Sequence, residues 1–166
     1  DNVVHKYFPM GPRNVQYRES IYVGYRFFDK AKKAVQYPFG HGLSYTKFEY
    51  SDAKVIEKTD DNIKVSVNVK NIGDRAGIEK TQIYAQYSDS RTYTPHFQLC
   101  GIKSTNLEAS ESQNVTIDID TYWLKAVLED GQRVTPDGKI TLYIGGHQPD
   151  KVSNELLGYE CEKIEL

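Results

Sequence analysis

Several residue patterns in this chain are of types that do chemistry. Gly40-His41-Gly42-Leu43-Ser44 places a histidine three positions before a serine. A nucleophile elbow needs G-x-S-x-G between a strand and a helix, and that spacing is absent here. The glycines flanking His41 read instead as a tight turn built on torsions that glycine adopts freely. His5, His96 and His147 are far apart and share no metal-ligand spacing, so they are expected to be surface or loop histidines. Cys100 and Cys161 lie 61 positions apart with no C-x-x-C, so zinc is not expected. Two free buried thiols are the favoured reading, with one disulfide as the alternative. Asp118 with Asp120, and Asp60 with Asp61, are the paired carboxylates. Acid/base pairs in glycosidases stand ~5 Å or ~6.5–9.5 Å apart, but a solvated strand face and a turn account for all four. Gly73-x-x-x-Gly77 and Gly145-Gly146 form no phosphate-cradling loop. No cofactor and no metal are expected.

Aromatic side chains are the stronger signal. Tyr122-Trp123 and the rings of Tyr22, Tyr25, Phe27 and Phe28 could stack on sugars through their apolar faces. The favoured reading makes the lone Trp a core anchor and packs the other rings between domains. Asn114-Val115-Thr116 fits a glycosylation acceptor but falls inside a predicted strand.

The elements that must position these residues follow a period of two from about residue 46 onward. Ile63, Val65, Val67 and Val69 alternate with polar neighbours, as do Val115, Ile117 and Ile119, and Ile140, Leu142 and Ile144. Weaker strands are expected over Phe48–Ile56, Thr81–Tyr87, Phe97–Ser104 and Leu157–Ile164. Asn71-Ile72-Gly73-Asp74 and Pro136-Asp137-Gly138 supply turn chemistry between them. The one helical candidate is Asp120–Glu129. Seven short strands in about 120 residues, with no room for crossover helices, describe an all-β chain: an antiparallel immunoglobulin or fibronectin type III-like β-sandwich. Residues 1–45 differ. Pro9, Pro12 and Pro38, with Gly11, Gly24, Gly40 and Gly42, break regular structure, leaving room for one short strand at Ser20–Phe28. An irregular aromatic-rich segment must lay its rings on another surface.

Composition divides at the same place. Residues 1–50 hold 7 of the 13 Tyr and 5 of the 6 Phe, and carry 8 Lys/Arg against 4 Asp/Glu; the remainder carries 13 against 19. The whole chain of 166 residues has a net charge of -2, without the basic surplus of a nucleic-acid binder. No stretch reaches the roughly 18 apolar residues of a membrane span, so neither nucleic acid nor membrane is an expected partner. Asp1-Asn2-Val3-Val4 is neither a signal nor a transit peptide. The chain is read as a piece of a longer polypeptide whose compartment stays open.

Two stretches then carry a resemblance: Tyr17-Arg18-Glu19-Ser20-Ile21-Tyr22-Val23-Gly24-Tyr25-Arg26-Phe27-Phe28-Asp29-Lys30, and Tyr37-Pro38-Phe39-Gly40-His41-Gly42-Leu43-Ser44-Tyr45-Thr46. In this order they resemble the C-terminal region of glycoside hydrolase family 3, the β-glucosidase and β-xylosidase family. Val69 to Gly77, Gln98-Leu99-Cys100-Gly101-Ile102 and Leu142-Tyr143-Ile144-Gly145-Gly146 extend the likeness over about residues 15–166. Ser20 departs from it, since the family usually has glycine there.

The resemblance implies a fibronectin type III-like domain behind an α/β sandwich domain. It also implies a parent that hydrolyses terminal, non-reducing β-linked glucosyl or xylosyl residues with retention. The family's nucleophile is an Asp in a Ser-Asp-Trp context on a (β/α)8 barrel. Ser51-Asp52-Ala53 does not match that context, so no catalytic residue carries over and the segment alone is expected to be inactive. Residues 1–45 are then an interdomain strap and residues 46–166 the sandwich. Tyr17, Tyr22, Tyr25, Phe27, Phe28, Phe39 and Tyr45 are expected to pack between domains, and Tyr93 to touch substrate from a loop. The expected partners are the parent's barrel and α/β sandwich, with carbohydrate as a second candidate. Without them, the strap's rings should fold back on the sandwich, pair with another copy, or stay disordered.

Overall fold

The computed structural model describes residues 17–166. Pro9, Gly11, Pro12 and His5 lie outside the described residues. The seven long strands are β1 (Phe48–Lys58), β2 (Asn62–Asn71), β3 (Gly77–Ser88), β4 (Gln98–Leu107), β5 (Ser112–Asp120), β8 (Lys139–Gly145) and β9 (Glu162–Glu165). A two-residue hairpin, β6 (Ala126–Val127) with β7 (Arg133–Val134), lies between β5 and β8. One sheet runs in the order β1-β2-β5 and the other β4-β3-β8-β9, with every pair antiparallel. This is the expected two-sheet sandwich.

Period-two patterning sets the register. Ile63 faces Ile119, Val65 faces Ile117 and Val67 faces Val115 across β2 and β5, and all six are buried. Ile83, Ala85, Leu142 and Ile144 of the second sheet complete the core. The Gln98-Leu99-Cys100-Gly101-Ile102 stretch is a β-bulge: Ile83 pairs with Gly101 and Tyr84 with Leu99, which leaves Cys100 over. The Cys100 thiol donates to the Ile83 carbonyl at 3.3 Å. Both cysteines are free; Cys161 is buried and Cys100 half-buried. Asp52, at φ 56°, sits in the bulge between Ser51 and Lys54.

Helical content differs from expectation in three places. Ser20–Phe28 is no strand: turns around Ser20 and Gly24, both at positive φ, lead into helix α1 (Tyr25–Lys30). Aromatic β-propensity suggested a strand, whereas the Phe27 and Phe28 amides donate to the Gly24 carbonyl and start a helix. Lys151–Leu157 forms helix α2, capped by the Asp150 carboxylate on the Val152 and Ser153 amides and ended by Gly158 at φ 80°. The last strand therefore begins at Glu162 and not at Leu157. The 120–129 helix shrinks to a 3-10 turn at Thr121–Leu124, capped by Asp120, because the β6–β7 hairpin follows at once.

Asn71 joins the irregular N-terminal segment to the sandwich. Fully buried, it donates to the carbonyls of Arg75 (2.7 Å) and Leu107 (3.2 Å). Its side-chain oxygen accepts from the Gly73 amide at 3.1 Å and from the Thr46 hydroxyl. A single amide thus ties the 71–77 turn, the end of β4 and the last residues before β1.

Candidate functional site

Strand β3 alternates in a way that leaves its sheet with two buried faces. Ile83 and Ala85 point into the core, while Gln82 and Tyr84 point away from it and are nevertheless buried. Their cover comes from residues 17–46. Tyr25 of α1 meets Tyr84 edge-on at 6.0 Å and stacks on Phe39 at 5.0 Å. The Tyr25 hydroxyl accepts the Leu99 amide at 3.0 Å. Four residues further round the helix, the Asp29 carboxylate contacts His96 Nδ1 at 2.6 Å. Tyr25 and Asp29 thus share one helix face and grip the same stretch, 96–99. The Gln82 side chain donates to the Gly146 carbonyl and accepts from the Tyr84 hydroxyl. Gly40, at φ 92°, passes so close that a Cβ there would lie 2.8 Å from both Gln82 Nε2 and the His147 Cα, so the turn requires glycine. The Gln148 amide donates to the Phe39 carbonyl beside it.

Beyond these contacts the segment stands off the sheet and leaves an open groove of about 1100 Å³. Its walls are α1, the Tyr37–His41 turn, His96–Phe97 and Gln148–Val152. Next to it the 89–96 loop is held by one carboxylate. Asp137 accepts from the Ser90 hydroxyl (3.0 Å), the Arg91 amide (3.0 Å), the Thr92 amide and hydroxyl (3.2 Å each) and Arg91 Nε (2.7 Å). These donors hold the Asp137 carboxyl well below the usual carboxylate range, Arg91 contributing most. The loop presents Tyr93, exposed and edge-on to Tyr22 at 6.0 Å.

The structure divides the anticipated aromatic set. Tyr22, Tyr25, Phe27 and Phe28 are half-buried, and Tyr25 folds back on the sandwich. Tyr17 and Tyr45 are 87% and 89% exposed, and Phe39 is 47% exposed beside its stack with Tyr25. Trp123 is not a core anchor. It is 55% exposed, edge-on to Tyr122, whose ring lies 4.2 Å beneath Arg133. A 3-10 turn, not a strand, carries Trp123, so the alternation that fills the core never reaches it. Of the nucleophile candidates, His41 stacks on Tyr37 at 5.1 Å and Ser44 accepts the Thr46 amide at 3.2 Å. Asp118 lies against Lys64 and Asn62, and Asp120 caps the turn. Among the described residues, no three His, Cys, Asp or Glu side chains cluster to hold a metal.

His147 is not the surface histidine that its sequence context suggested, and Glu79 carried no sequence signal. His147 is fully buried, with Nδ1 donating to the Gln148 carbonyl at 2.8 Å and its ring edge-on to Tyr159 at 4.5 Å. Glu79 accepts the Tyr50 hydroxyl at 2.5 Å. Burial raises the Glu79 carboxyl above its ordinary value and lowers His147, outweighing the carbonyl groups and Asp150 that pull His147 upward.

Geometry and sequence together define the class: an antiparallel fibronectin type III-like sandwich wearing an aromatic strap. Residues 79–148 match the family model of the fibronectin type III-like domain. The chain itself matches the C-terminal region of glycoside hydrolase family 3 β-glucosidases. It is 44% identical over 116 residues to thermostable β-glucosidase B of Acetivibrio thermocellus, covering 68% of this chain and 15% of that protein. The GH3 β-glucosidase of Bifidobacterium adolescentis superposes with a TM-score of 0.85 at 28% identity, over 100% of this chain and 24% of that one. The Kluyveromyces marxianus β-glucosidase, solved with glucose, gives 0.84 at 34% identity, over 100% and 20%. The chain therefore spans less than a quarter of the length of these relatives.

Buried His147 and half-buried Glu79 have opposite linkage. As pH falls through about 6.5, the unfolded chain takes a proton on His147 that the native state refuses, so stability drops. Glu79 works the other way, since the native state keeps its proton to a higher pH than the unfolded chain does. We expect the urea midpoint to fall between pH 7.5 and 5.5, and His147→Gln to flatten that fall. An identical slope in the variant would remove His147 as the cause.

Proposed function

We propose that this segment is a non-catalytic accessory module of a retaining β-glycosidase acting on terminal non-reducing β-D-glucosyl, or xylosyl, residues. In this reading residues 1–45 are the strap, residues 46–166 the sandwich, and the partners are the parent's barrel and α/β sandwich domains. The observation that carries it is the two-sidedness of the strap. Tyr25 serves this chain's own sheet, while Tyr17 and Tyr45 remain exposed and Phe39 lines a groove left open among the described residues. Relatives named as β-glucosidases support that activity for the parent. Removing residues 1–45 from the intact enzyme is expected to lower its Tm by several degrees while active-site chemistry persists in the folded fraction. An unchanged Tm would sink the reading.

Tyr93 has a proposed role of its own within this reading, as a contact with the parent's substrate from a loop fixed by Asp137. Because the ring is exposed, Tyr93→Ala should leave Tm unaltered and reduce kcat/KM severalfold in the intact enzyme. Unaltered kinetics would leave Tyr93 a surface residue.

A second reading, a carbohydrate-binding sandwich, is favoured by the exposed Trp123 beside Tyr122. Calorimetric titration of the chain with soluble β-glucans and xylans separates the two. The accessory role predicts no heat, whereas binding lost in Trp123→Ala would establish the second.

A further inference from the structure

Four lysines, Lys30, Lys32, Lys33 and Lys151, stand around the aromatic groove. The carboxylates there are already engaged: Asp29 contacts His96, and Asp150 caps α2. Lys151 also has Glu155 at 3.6 Å, an exposed pair of little strength.

Two of these lysines sit where local chemistry disfavours them. Lys32 occupies the left-handed position just past α1, at φ 49°. Its amide donates to the Asp29 carbonyl, and that of Lys33 to the Phe28 carbonyl, the hydrogen-bond pair of a Schellman motif in which glycine is the usual residue. Lys151 opens α2, where the helix dipole favours an acidic side chain. Residues that break a local rule are found where a surface does more than fold.

We propose that this groove seats an acidic segment of the remaining parent polypeptide, its apolar side chains on the aromatic floor and its Asp or Glu side chains between the lysines. The proposal rests on the accessory-module reading and names the chemistry of the docking partner. An open groove of about 1100 Å³ lies at the upper end of small-molecule sites and has room for a chain segment. A neutral glycoside gives four cations nothing to pair with. The solved relatives, of which this chain covers 20–24%, hold ample further chain to supply the segment.

The test uses the intact parent enzyme and, alongside it, the 166-residue chain. Lys33→Glu/Lys151→Glu reverses two of the charges, and the chain measured alone reads the small cost of facing Glu155 and the end of α1. Phe39→Ser alters the groove's aromatic floor. The charge-reversed chain alone should melt only slightly below the unaltered chain, since both positions are exposed. The charge-reversed enzyme should lose several degrees of Tm at low salt, and less in molar salt, where the repulsion is screened. A loss with Phe39→Ser that is larger in the enzyme than in the chain, but none with charge reversal, overturns the acidic partner and leaves the accessory role standing. No loss in the enzyme with either variant defeats both. Self-association of the chain that charge reversal abolishes would make a second copy the occupant, which also overturns the proposal.

Discussion

A sheet that must be buried on both faces governs this structure. Strand β3 sends Ile83 and Ala85 into the sandwich and Gln82 and Tyr84 out of it, and both pairs are buried. Covering an outward Tyr is worth roughly 1.5–3 kcal/mol, but ordering each strap residue costs about 1–2 kcal/mol of backbone entropy. A strap laid over the sheet without anchors would therefore be a net loss. It is tied instead at three points: Thr46 on Asn71, Gly40 against Gln82 and His147, and α1 on Leu99 and His96. Each tie uses a hydrogen bond or a close approach that fixes position, so the aromatic contacts between them need little further ordering.

The same requirement explains the polar cluster beneath the strap's turn. Tyr50, Glu79, Tyr159 and His147 surround Gly146, and a side chain there would come within 2.8 Å of the Tyr159 hydroxyl. Burial pushes the Tyr50 and Tyr159 hydroxyls and the Glu79 carboxyl upward, the signature of groups held in a poorly solvated junction. That junction links β1, β3 and the segment joining β8 to β9, so the two sheets and the strap's landing point are set together. The glycine pair that forms no phosphate loop is thus structural, admitting the chain where four polar side chains converge.

The sandwich was legible because β2, β5 and β8 each repeat one physical rule, an apolar residue at every second position. The bulge at Cys100 preserves that rule by absorbing one residue. What escaped were features that depend on local hydrogen bonds or on tertiary cover. Helix α1 is six residues long and rich in rings that favour strands, and only its contacts with Tyr84, Leu99 and His96 make it worth forming. Helix α2 did carry readable signals, Asp150 before it and Gly158 after it, which the apolar run into Leu157 obscured. Trp123 was misplaced because hydrophobicity suggested the core while its carrier, a 3-10 turn, leaves the sheet. The groove itself was outside the reach of pattern reasoning: its walls come from four separate stretches brought together by the strap's path.

Local rules are obeyed almost throughout the sandwich, and the departures gather where the strap runs. A left-handed Lys32 and a lysine opening α2 belong to the strap and to the segment it packs on. In a domain built only to fold, selection would replace such residues with better-suited ones: glycine at the end of α1, an acid at the start of α2. Asp52, Asp89 and Ser110 also take positive φ, but in a bulge and in turns, where short polar side chains tolerate it. The interior therefore answers to packing, while Lys32 and Lys151 depart from the rules of their own helix ends beside the open groove.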